Sequence, residues 1–208
     1  MKLTYRQLEA ILAAYLGVHP DKVSTFRSRM KQLQRLEFPH GVNIGRGVRM
    51  TYTAEHLLQL AVAFEVLGTG LAAKAATDLV SSHWPKFQAA IGRASKRLAY
   101  GSDFETFVQI SGQGPTEGQG VLDRSVCVHD LKSFTNQVLR NPDPISGKRA
   151  GHLLIRIDYL LSRITRLASD VGQVHDARWT REYSQWSEER DQNQQIWDRA
   201  DGGAPVPF

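Results

Sequence analysis

The sequence predicts a mainly helical chain with a small α+β unit in its second half. Three observations carry this. In the first 80 residues apolar side chains recur three and four apart, in segments separated by glycine and proline. Beyond residue 100, three short segments rich in β-branched and aromatic residues read as strands. Within the first of these regions "HGVNIGRGVRMTY" alternates glycines with β-branched residues and arginines, which suits a short hairpin.

Taken in order, Thr4 to Gln7 has the Thr-x-x-Gln pattern of a capping box. Leu8, Ile11, Leu12 and Leu16 then fall on one helical face, and Gly17 suits the left-handed position that ends a helix. "GVHP" turns the chain. Pro20 and Asp21 suit the first turn of a second helix, whose buried stripe is Val23, Phe26, Met30, Leu33 and Leu36. Pro39 and Gly41 end it. The hairpin has Gly45 or Gly47 at its tip. Thr53 caps a third helix with Glu55 in its first turn and Leu57, Leu60, Ala61, Phe64 and Leu67 inward. "GTG" breaks it, and a short fourth helix runs from Leu71 to about Val80.

A new region is expected from Ser81. Trp84, Phe87, Ile91, Ala94 and Leu98 make an amphipathic helix. Strands are expected at 104–110, 121–129 and 152–157, with a helix over 130–140, and Asp158 is expected to cap a helix carrying Leu161, Ile164, Leu167 and Ala168. Trp179, Tyr183, Trp186 and Trp197 recur near helical spacing in a polar tail, and "DGGAPVPF" has the composition of a disordered end. The expected organisation is 1–80, 81–175 and a tail, 176–208.

The chain of 208 residues has a net charge of +5, unevenly spread. From Lys22 to Arg49 there are seven Lys/Arg against the single acid Glu37; from Asp176 to Phe208 there are four Arg against seven acids. No apolar run approaches the roughly eighteen residues of a membrane span, and the N-terminus does not read as a secretory signal. Cys127 is the only cysteine, which excludes an internal disulfide and a Cys-rich metal site and suits a reducing cytosol.

The segment "DKVSTFRSRMKQL" acquires meaning from its neighbours. A helix that enters the major groove needs one apolar face to anchor it and short polar and basic side chains opposite. The second helix has both, after a capped helix and a tight turn and before an arginine-bearing hairpin. The order is that of a helix-turn-helix with a wing. Lys22, Ser24, Thr25, Arg27 and Ser28 are expected to read bases, Arg by gripping guanine with two bonds. Lys31, Arg35, Arg46 and Arg49 are expected over phosphates or in the minor groove, with Tyr52 beside the wing.

Residues 3–80 resemble the winged-helix DNA-binding domain of MerR-type bacterial regulators. The matching pieces are "LTYRQLEAILAAYLGV", then "VSTFRSR" in the recognition-helix position, then "GRGVRMTYTAEHLLQLAVAFEVLGTGLAAKAATDLV". Gly47-Val48-Arg49, Tyr52, Thr53 and Leu67-Gly68 fill the places of the family's wing, aromatic, helix cap and helix end. The resemblance implies sequence-specific binding of double-stranded DNA, transcriptional regulation as a homodimer, and a cytoplasmic, nucleoid-associated location. The metal- or redox-sensing cysteines of some members are absent, and Pro85 with the strands after it leaves no place for a long dimerisation helix.

Other chemistry is weakly represented. The seven histidines have no ligand spacing, so neither metal nor cofactor is expected. "GQGPTEGQG" lacks the Lys-Ser/Thr of a phosphate loop. Asp123, His129 and Asp130 have no nucleophile beside them in the sequence, so no catalytic set and no enzyme is expected. Two alternatives remain open: an excisionase-like or architectural DNA-binding protein, and a ligand-binding or enzymatic α+β protein whose basic face is incidental. The tail either packs on the α+β unit or a second subunit, or docks a protein partner.

Overall fold

The computed structural model describes residues 2–42, 51–100, 105–112, 124–130, 151–172, 174, 183 and 186. It is mainly helical with a small antiparallel sheet, an α+β arrangement. Residues 131–140 of the expected helix, the expected hairpin tip at Gly45 or Gly47, Trp179, Trp197 and the C-terminal end lie outside the described residues.

Strand β1, Lys2–Leu3, leads into helix α1, Tyr5–Tyr15. The capping box forms as expected: Thr4 Oγ1 accepts from the Gln7 amide, and Gln7 Oε1 accepts from the Thr4 amide. Helix α1 ends where Gly17 takes a φ of +63°, with the Val18 amide donating to the Ala13 carbonyl. Pro20–Lys22 form a separate 3-10 turn rather than the first turn of the next helix. Helix α2, Val23–Arg35, follows and ends in the same geometry, this time with Glu37 in the left-handed region at φ +57°. The Phe38 amide reaches back to the Leu33 carbonyl, and Phe38 is buried, so helix α2 ends before Pro39 and Gly41 rather than at them.

Strand β2, Tyr52–Thr53, pairs antiparallel with β1, Lys2 opposite Thr53 and Leu3 opposite Tyr52. The residues expected to close a local hairpin therefore tie the N-terminus to the start of helix α3, Ala54–Gly68. Helix α3 is apolar on almost every side, and Leu57, Leu58, Leu60, Ala61, Val62, Ala63, Phe64 and Val66 are all buried. A helix of that kind belongs inside the fold. Phe64 meets Phe26 of α2 at 5.3 Å between ring centroids, and Glu65 accepts from the Tyr15 hydroxyl of α1 at 2.5 Å.

Helix α4, Ala73–Tyr100, corrects the expectation of two helices divided near residue 80. It is one helix of 28 residues that runs through Pro85. Proline removes one backbone donor and crowds the preceding turn. Burial on both sides outweighs that cost: Val80, Trp84, Phe87, Ala90, Ile91 and Ala94 are all in the core. Helices α3 and α4 are clasped by Glu55 Oε1, which accepts from Trp84 Nε1 at 2.6 Å and from Gln88 Nε2 at 3.0 Å.

The sheet has the order β4-β3-β5, where β3 is Thr106–Gly112, β4 is Arg124–Asp130 and β5 is Gly151–Arg156. Each lies within two or three residues of its expected position. Val108, Ile110, Val126 and Ile155 make the buried face, against which α4 packs. Helix α5, Ile157–Asp170, follows β5 directly. Asp158 is not its cap. Its carboxylate, 6% exposed, lies 3.0 Å from Arg97 of α4 and 3.0 Å from Arg156. It thus joins two helices and a strand, and Arg156 also pairs with Glu105 at 2.6 Å.

Helices α1 and α5 meet. Gln7 Nε2 donates to the Gly172 carbonyl at 2.9 Å, and the guanidinium of Arg163 stands 5.9 Å from the centre of the Tyr15 ring. The buried residues form one cluster from Leu3 to Tyr183, and the boundary expected at residue 80 falls inside α4.

Gly172 sets the approach of α5 to α1, because a Cβ there would lie 2.7 Å from Ile11 Cδ1 and 2.8 Å from the Ala168 carbonyl oxygen. Gly172→Ala is expected to lower stability by about 1–3 kcal/mol in urea unfolding. Gly68→Ala, with open space around it, is expected to change little. Equal stability of Gly172→Ala and wild type would contradict this packing.

Candidate nucleic-acid interface

The basic helix is held from below and open above. Phe26, Met30 and Leu33 of α2 are buried, with Val23 and Leu36 half-buried beside them. Every other residue from Ser24 to Arg35 except Gln34 is exposed. Helical spacing puts Ser24, Ser28, Lys31 and Arg35 on one face, opposite the buried stripe. Thr25, Arg27 and Arg29 flank that face, and Lys22 sits exposed at its N-terminal end. No acidic residue occurs between Asp21 and Glu37. The division expected from sequence, Lys22 to Ser28 toward bases and Lys31 with Arg35 toward phosphates, runs along the helix. All four residues of the central face look the same way.

Two of these side chains are already engaged. The Ser28 hydroxyl donates to the Ser24 carbonyl one turn back at 3.0 Å, so its oxygen remains as an acceptor. Arg27 leans toward α1, where its Nε donates to Glu9 Oε1 at 2.7 Å. The Arg27 side chain is 57% exposed and that of Glu9 is 15% exposed. Glu9 also weighs on Tyr5, whose hydroxyl is pushed up first by burial and then by that carboxylate. Sequence reading missed Glu9. It stands eighteen positions before its partner on the flank of another helix, and no periodicity links two such residues.

Tyr52 corrects its expected role. It is 1% exposed, a core residue, and offers no surface to a nucleic acid. Its ring lies 6.3 Å from that of Tyr5 and 6.2 Å, edge to face, from His56. Its hydroxyl accepts from Gln34 Nε2 at 2.9 Å, and burial raises its pKa. Gln34 is the second residue the sequence did not single out. It connects the C-terminal half of α2 to β2 beneath it. Arg46 and Arg49 lie outside the described residues.

Among the described residues no three His, Cys, Asp or Glu side chains gather as metal ligands. Cys127 and Asp130 are exposed on β4, whereas His129 is buried with its pKa lowered by that burial. Asp123 lies outside the described residues. In the tail, Tyr183 is fully buried and Trp186 packs edge to face on Trp84 at 6.4 Å, so this part returns to α4. No helix among the described residues is long and apolar enough to cross a membrane. The chain matches no protein-family model, and no curated protein matches it.

His56 makes the footing of this surface sensitive to pH. In a capping box its Nδ1 accepts from the Thr53 amide at 3.1 Å, and the His56 amide donates to Thr53 Oγ1 at 3.2 Å. Burial lowers its pKa from 6.5. The unfolded chain takes up this proton first as pH falls, so the stabilisation present above pH 6.5 is lost progressively below it. His129 acts in the same direction. Denaturant unfolding at pH 7 and pH 5 is expected to give a smaller difference for His56→Gln, which keeps an acceptor at that position but does not titrate. An unchanged difference would contradict the assignment.

Proposed function

We propose that residues 1–80 are a MerR-like winged helix-turn-helix and that the protein binds DNA in a sequence-specific manner. Its role is that of a bacterial transcriptional regulator acting as a homodimer. The observation that carries this reading is the outer face of α2: Ser24, Ser28, Lys31 and Arg35 in a row, flanked by Lys22, Thr25 and Arg27, with no acid among them. Short hydroxyls and long cations on a helix anchored by an apolar stripe suit the major groove. The pairing of β1 with β2 supports it, since it returns the chain to the helices after the segment that contains Arg46 and Arg49.

A dimer is favoured by general physics, because a single module of this size buries little surface on DNA. Strands β4 and β5 are the outer strands of the sheet among the described residues, and Leu154 on β5 is 41% exposed. These are features on which two copies can meet.

Binding is expected to be strongly salt-dependent. With Lys31, Arg35, Arg46 and Arg49 over phosphates, the plot of log affinity against log salt is expected to have a slope of about −4 per module. Fluorescence anisotropy on a labelled duplex over a salt series measures it. Lys31→Ala is expected to make the slope shallower by about one. If Arg27→Ala combined with Arg49→Ala left binding unchanged, the reading would be wrong.

A further inference from the structure

The Arg27–Glu9 pair is unusual for a surface ion pair. One member is mostly exposed and the other is largely covered, 57% against 15%. The contact is made through Nε alone, at 2.7 Å. An arginine fixed for structural purposes gains most from a two-pronged contact that uses a terminal nitrogen. Here the single contact at Nε keeps both terminal amino groups available, and these are the two donors that a guanine needs at O6 and N7. A long side chain with several free rotors loses much conformational freedom when it binds. Holding Nε from a neighbouring helix removes part of that freedom beforehand.

Resting on the reading of α2 as the base-contacting helix, we infer that Glu9 is a positioning residue for specificity: it presents the terminal amino groups of Arg27 to guanine. Glu9 touches no DNA in this arrangement and acts only through Arg27. Its negative charge near a phosphate backbone also costs general affinity. Specificity and general affinity therefore respond oppositely to its removal.

The test uses the full-length chain and two duplexes, one enriched from a random library by the wild-type protein and one a scramble of it. The ratio of their dissociation constants measures specificity. Glu9→Gln is expected to lower this ratio about tenfold, with affinity for the scramble unchanged or increased. Arg27→Lys keeps the charge but loses the forked donor pair, and is expected to lower the ratio similarly. The double variant is expected to lose no more than either single one, because both act at the same contact. Arg27→Lys leaves Glu9 in place, so it tests the contact even where Glu9→Gln folds poorly. If Glu9→Gln tightened both duplexes equally with the ratio unchanged, Glu9 would be only a repelling charge and the inference would be overturned. Ratio losses that add in the double variant would overturn it too. A wild-type protein that enriched no sequence would overturn both this inference and the reading it rests on.

Discussion

The burial of helix α3 is the constraint on which the rest of the fold depends. A fifteen-residue helix with apolar side chains on nearly every side is stable in water only when neighbours cover it. Helix α2 covers it through Phe26 on Phe64, helix α1 is tied to it through Tyr15 and Glu65, and helix α4 is clasped to it through Glu55. Each covering helix gives up its own apolar stripe to do so. What remains outward on α2 is then determined: the residues not needed to cover α3 are hydroxyls, amides and cations. The basic face is in this sense a consequence of the core beneath it.

The same dependence links α1 to α5. Helix α4 extends from the first helices to the sheet without interruption, and α5 returns from the sheet to touch α1 at Gly172. Motion of α1 relative to α5 is limited by Ile11, whose side chain fills the space a β-carbon at Gly172 would take. Since Glu9 lies on α1 and Arg27 on α2, the docking of α1 also sets where Arg27 is held. The contact of α5 with α1 at Gly172 and the Glu9–Arg27 pair thus lie in series between the C-terminal half and α2.

Local chemistry was legible in the sequence. The box at Thr4, the cap at Thr53, the glycine after α1, the stripe of α2 and the three strands rest on spacings within a few residues, and these appear close to where they were expected. Features that depend on distant partners were not legible. Pro85 argued for a break, yet tertiary burial of Trp84 and Phe87 carries the helix through it. Asp158 had the look of a cap, yet two arginines take its carboxylate. Tyr52 was grouped with the DNA-facing residues although packing under the wing was the alternative, and the pairing of β2 with β1 goes with its burial. At the candidate surface, the residues of α2 were readable from their exposure pattern, whereas Glu9 and Gln34, which hold it, come from or reach toward other elements.

The central claim is that the outer face of α2 meets DNA and chooses among sequences. Sequencing the DNA recovered with the full-length protein from cells, beside an Arg27→Ala variant, tests it most directly. Wild-type samples are expected to share an enriched short motif, and the variant is expected to lose it. Recovery of the same sites by both proteins, or of no site above background, would contradict it.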